Sequence, residues 1–104
     1  TVLCTPSATP PRWLLTKYPE TRMVMHDLIR ADVSSRCHTC KTSEVMREKN
    51  RIIVTKMAEA FANHPAVVGW QIDNEIYPYN EGCFCANCKA AFRVRRGGSF
   101  STRR

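Results

Sequence analysis

Val67-Val68-Gly69-Trp70-Gln71-Ile72-Asp73-Asn74-Glu75 decides the reading of this chain, because a short apolar run stops abruptly at two carboxylates and an amide. A parallel strand covered on both faces is nearly continuous in apolar residues, and in a (β/α)8 barrel the chemistry sits at the carboxyl ends of such strands. Read this way, residues 67–73 are a buried strand and Glu75 is the group it delivers to the barrel mouth. A strand that merely ends in a polar turn would look the same locally, so the flanking sequence has to discriminate.

Upstream, the flanks fit an α/β order. Ser43 to Asn63 has the clearest helical pattern, with Met46, Ile53, Met57, Ala60 and Phe61 on one face and charges elsewhere. Thr42 or Ser43 is the N-cap, and Pro65 disfavours helical geometry at His64, so Asn63-His64-Pro65 ends the helix and the strand follows directly. Near the start, residues 1–3 look like the end of another apolar strand, broken by Thr5-Pro6-Ser7-Ala8-Thr9-Pro10-Pro11. A short helix then carries Trp13, Leu14 and Leu15 and closes at Tyr18-Pro19. Residues 20–42 read as a long polar loop of the functional rather than the packing kind; His26, His38 and, beyond it, His64 read as loop or surface residues. Helix, tight loop and strand together give an α/β layout.

Length and charge narrow the classes. The chain has 104 residues, against the ~250 of a complete barrel, so the expectation is a partial barrel, a piece around strands 2 to 4 with long βα loops. No run approaches the ~18 apolar residues of a membrane span, and no secretory leader is visible, which sets the expectation of a soluble, cytoplasmic protein with no membrane partner. The net charge of +7 is local: residues 93–104 hold five arginines and no acid, and without them eleven bases face nine acids. That tail of Arg, Gly and Ser reads as disordered, a divergent end of the kind a truncation or frame shift produces.

Six cysteines could form a disulfide framework, but Cys83, Cys85 and Cys88 are too cramped for independent bridges. Structural zinc takes four thiolates or imidazoles in a tetrahedron. Three come from this turn and Cys40 is the natural fourth, with Cys37 and His38 competing for the place. Cys4 is expected to pack as a small apolar group. Asn74 is placed to donate to a sugar hydroxyl beside the acid, with Asp73 as support, and Trp13 and Tyr77 are possible sugar-stacking faces.

These residues resemble glycoside hydrolase family 42, mostly bacterial β-galactosidases. The likeness is carried by residues 3–14, by Ser35-Arg36-Cys37-His38-Thr39-Cys40, by residues 64–75, and by the turn Cys83-Phe84-Cys85-Ala86-Asn87-Cys88 with Lys89-Ala90-Ala91-Phe92 after it, covering roughly residues 1–92. The resemblance implies a retaining enzyme hydrolysing terminal β-D-galactosides, with Glu75 as general acid/base, Asn74 on the sugar 2-hydroxyl, Arg36 in the galactose subsite, Cys40, Cys83, Cys85 and Cys88 on a structural zinc, and a homo-oligomeric full-length protein. Cys4, Ser34, Cys37 and Thr39 depart from the family pattern. The nucleophile, which the family carries on a later strand, is missing, and Glu20, Glu44, Glu48, Glu59 and Glu81 do not replace it, so the chain alone is expected to be inactive. A reading from another class is a small zinc-clamped module whose arginine tail binds nucleic acid, although it leaves the strand-end motif unexplained.

Overall fold

The computed structural model describes residues 1–33, 38–74 and 82–100, with side chains to residue 96. The chain runs β1 (Val2–Cys4), α1 (Arg12–Lys17), a 3-10 turn (Pro19–Thr21), α2 (Glu44–Phe61), β2 (Gly69–Gln71) and α3 (Ala86–Phe100). The strands pair in parallel with Val2 opposite Gly69, Leu3 opposite Trp70 and Cys4 opposite Gln71. Parallel partners need a long crossover, and here it contains α1, the 20–43 segment and α2, giving a β-α-β unit. Backbone bonds extend the pairing at both ends, Val68 N–H to the Thr1 carbonyl and Thr5 N–H to the Gln71 carbonyl, each 3.0 Å.

α2 begins where its cap dictates. Ser43 is extended and its hydroxyl accepts from the Met46 N–H at 3.3 Å, so Ser43 rather than Thr42 is the N-cap. Of the expected apolar face only Met46 is buried; Met57 is half-buried, and Ile53, Ala60 and Phe61 are exposed. β2 is likewise shorter and more open than the 67–73 strand expected from its sequence, with Val68 and Ile72 exposed. A two-stranded sheet has no inner strand, and no second layer covers its faces among the described residues. In α1, Leu14 and Leu15 are buried while Trp13 points outward.

Residues 20–42 depart from the expected polar loop. Few of its described residues are in regular structure, yet Thr21, Met23, Ala31, His38, Thr39 and Cys40 are buried. Arg22 bridges Thr39, and Val24 bridges Arg30. Met23 N–H meets the His38 carbonyl at 2.7 Å, Ala31 N–H the Met23 carbonyl at 2.8 Å, and Cys40 N–H the Thr21 carbonyl at 2.7 Å. Polar side chains can line a packed segment when its buried backbone groups find partners in this way. His38, expected at the surface, is fully buried.

The tail also differs from expectation. α3 starts at Ala86 and runs through residue 93 without a break to Phe100, so residues 93–100 are helical, and 101–104 lie outside the described residues. Arginine is a good helix former and no proline interrupts the run, whereas the Gly97-Gly98 pair costs only about 1 kcal/mol per residue against alanine. Arg96 also stacks over the Phe92 ring four residues back, 5.7 Å from its centroid.

Candidate functional site

The carboxyl ends of β1 and β2 lie side by side and are knitted by side chains. The Asp73 N–H donates to Thr5 Oγ1 at 2.7 Å, and Thr5 Oγ1 lies 3.2 Å from Ser7 Oγ, both residues being buried. Asp73 takes a left-handed backbone, φ 60°, which aspartate tolerates better than most residues, and this turn ends β2. Its carboxylate accepts from the Asn74 N–H at 2.9 Å and pairs with Lys41 Nζ at 3.2 Å. Burial acts to raise the Asp73 pKa, but the Asn74 N–H, the Lys41 ammonium and the Ser7 hydroxyl outweigh it and hold the carboxyl below the ordinary aspartate value.

Asn74 is exposed and oriented. Gln71 Nε2 bridges the Asp73 carbonyl and Asn74 Oδ1, both at 3.1 Å. With its oxygen engaged, the Asn74 amide keeps its NH2 for an incoming acceptor. Glu75 follows immediately in sequence; it, Arg36, Cys37, Tyr77 and Glu81 lie outside the described residues. Glu44, Glu48 and Glu59 are on the exposed surface of α2, where Glu48 pairs with Arg51 and Glu59 with Lys56, and Glu20 is exposed in the 3-10 turn.

A second constellation lies close by in sequence. Cys40, Cys83, Cys85 and Cys88 place their sulfurs within 4.8 Å of one another. Cys40 Sγ is 3.6 Å from Cys85 Sγ and 3.5 Å from Cys88 Sγ, too long for a disulfide at ~2.05 Å. Zinc bonded to sulfur at ~2.3 Å in a tetrahedron separates its ligands by ~3.8 Å, so the four thiols fit that ion with little adjustment. His38 is not a member of this group, and Cys4 stands apart from it, exposed, with its thiol 3.6 Å from Gln71 Oε1 rather than packed as an apolar group.

Three short connections hold the thiols. The Val24 N–H donates to Cys83 Sγ and the Cys88 N–H to Cys85 Sγ, each 3.4 Å, while Phe84 N–H meets the Val24 carbonyl at 2.8 Å. Gly82, with φ 133°, makes the bend into the turn. The Cys85 thiol is raised by burial but brought down to about 7 by the Cys88 N–H and the neighbouring thiols. Cys88 moves the other way: burial raises it, Thr42 opposes, and the Cys40, Cys85 and Cys83 thiols help push it up to about 12. Burial also raises Cys83.

Comparison with known proteins identifies the setting. The β-galactosidase model of glycoside hydrolase family 42 matches residues 1–96. The chain belongs to that family. It is 46% identical over 92 residues to β-galactosidase BglY of Alicyclobacillus acidocaldarius, covering 88% of this chain and 13% of that protein. It is 42% identical over 94 residues to β-galactosidase Bga of Halorubrum lacusprofundi, covering 89% and 13%. Among solved structures, the β-galactosidase of Rahnella sp. R3 superposes with a TM-score of 0.88 at 37% identity, over 97% of this chain and 14% of that one. The chain therefore matches a fragment of the family's barrel fold and spans about one seventh of the length of its relatives. Faces that a complete barrel layers with further strands and helices are here left open, which accounts for the exposed Val68, Ile72, Ile53 and Phe61. Family membership also accounts for the strand-end motif that a nucleic-acid-binding module left unexplained.

Sequence reasoning missed the supporting residues. Thr5, Ser7, Lys41 and Gln71 organise the strand end, and Thr42 touches the thiol cluster. Lys41 and Thr42 directly follow a candidate ligand, Cys40, and Thr5 and Ser7 follow a strand end; those positions were the available signal.

Proposed function

We propose that the chain is the part of a retaining β-galactosidase that carries the general acid/base. Glu75 protonates the departing glycosidic oxygen and, after a glycosyl-enzyme forms, takes a proton from the attacking water. The Asn74 amide donates to the sugar 2-hydroxyl beside it, and Arg36 binds the galactose. The nucleophile belongs to another strand of the whole enzyme, which acts on terminal β-D-galactosides as a cytoplasmic homo-oligomer. The piece corresponds to about strands 2 to 4 of the barrel. Cys40, Cys83, Cys85 and Cys88 hold a zinc ion whose role is structural, since four thiolates leave no position for water or substrate.

The observation that carries this reading is the oriented Asn74 at the carboxyl end of a parallel strand, one residue before a glutamate, in a chain of this family. A chimera tests it, with residues 1–96 replacing the matching segment of the Alicyclobacillus relative. The chimera is expected to hydrolyse an alkyl β-galactoside, and Glu75→Gln to lower its kcat by about 10²–10⁴; unchanged turnover in that variant overturns the assignment. The purified chain by itself is expected to show no turnover on a chromogenic galactoside, because double displacement needs both carboxylates.

A further inference from the structure

Four thiolates around a divalent zinc carry a formal charge of −2, and such a centre is stable only where donors spread that charge. Two of the donors are backbone groups, Val24 N–H on Cys83 and Cys88 N–H on Cys85. Cys40 and Cys88 share the third. Thr42 Oγ1 lies 3.1 Å from Cys88 Sγ and 3.2 Å from Cys40 Sγ, inside the range of an O–H···S bond. Cys40 is almost completely buried and Thr42 half-buried, so water competes poorly for these sulfurs. A ligated thiolate has no proton to give, which fixes the direction: the hydroxyl donates and sulfur accepts.

We infer that the Thr42 hydroxyl is a positioning group of the metal centre, sharing its one proton between the Cys88 and Cys40 sulfurs and setting how tightly the centre keeps its ion. This rests on the zinc reading given above and adds a residue to it. Outer partners of this kind typically change metal affinity 10–100-fold when removed. Thr42 is suited to the part because it does not cap α2; Ser43 does, which frees the hydroxyl for sulfur.

The test compares the full chain with Thr42→Val, which keeps the shape and loses the hydroxyl, and Thr42→Ser, which keeps the hydroxyl. Zinc affinity is measured by competition with a chromophoric chelator, and cobalt(II) substitution reads the thiolate-to-metal charge-transfer band. Thr42→Val is expected to bind zinc about 10- to 100-fold more weakly and to shift the cobalt band, with Thr42→Ser restoring both. An affinity within about 2-fold of the parent, or a loss that serine fails to restore, overturns the role of the hydroxyl while leaving the metal site standing. A parent chain that binds neither ion overturns the zinc reading and this inference with it. Should the valine variant not fold, cadmium-113 NMR on the parent decides the matter: a slowly exchanging hydroxyl proton coupled to the metal is expected, and its absence from a cadmium-loaded, folded sample overturns the proposal.

Discussion

Replacing Cys40 by serine separates what the proposed zinc ion would do for this fold from what the thiols do by packing. Cys40 stands 45 residues before Cys85, and it is the single ligand on its side of α2 and β2; Cys83, Cys85 and Cys88 lie on the other. An ion held by all four closes that 45-residue loop, and the chain-entropy relation for a cross-link of this span gives about 4 kcal/mol of stabilisation. At ~4–8 °C per kcal/mol for a domain of this size, zinc is expected to raise the melting temperature by roughly 15–30 °C. Cys40→Ser leaves three ligands within one turn and no long-range tie, so most of that rise disappears. Cys83→Ser keeps Cys40 tied to Cys85 and Cys88 and loses less. Burying a hydroxyl at position 40 adds a direct cost of about 1–3 kcal/mol, but that cost is present with and without metal. The quantity to measure is therefore the zinc-dependent shift: melts by circular dichroism in excess zinc and in chelator, for parent and both variants. Equal zinc-dependent shifts in the parent and Cys40→Ser would refute the reasoning, as would a larger loss in Cys83→Ser.

Two further outcomes follow from local geometry. Ser43→Ala removes the bond to the Met46 N–H and is expected to cost about 1 kcal/mol, read as a lower urea midpoint with an unchanged m-value; no change would mean another group caps α2. Asp73 has a folded-state pKa below its ordinary value of 3.8, so its contribution is fully present above that value and is lost as pH falls through the lower folded value. Stability is expected to drop below about pH 4, and Lys41→Met to reduce that dependence; an identical pH profile in the variant would show that the ion pair does not hold the carboxylate.

How much of this was legible in sequence depends on the range of the forces concerned. α2 and its cap were readable because helical periodicity and a serine ahead of a glutamate act within a few residues. The grouping of the four thiols was readable because metal-ligand chemistry restricts residue type and spacing; the reading of Glu75 falls outside the described residues. The 20–42 segment was not: its burial comes from backbone bonds between residues such as Met23 and His38, and no composition rule anticipates partners fifteen positions apart. The helix through residues 93–100 was missed because the arginine content was read as disorder, although arginine opposes burial rather than helix formation.

Residues 40–42 show how the thiol centre and the strand end share one support. Cys40 and Thr42 touch the sulfur cluster, while Lys41 between them reaches Asp73 at 3.2 Å. Lys41 and Thr42 lie in a turn closed by the Ser43 N–H on the Cys40 carbonyl at 3.2 Å, and within that turn one tripeptide serves two sites at once. A metal held by Cys40, as proposed, would fix the backbone of Lys41, whose ammonium meets a carboxylate whose other contacts are the Asn74 N–H and Ser7 and whose own N–H is on Thr5. The exposed Lys41–Asp73 pair is weak by itself. Its use is geometric, because it steadies the left-handed turn at Asp73, from which Asn74 leaves the strand. The structural ion proposed for the thiols, although it has no open coordination position, would in this way steady Asp73 and Asn74 at the strand end without touching substrate.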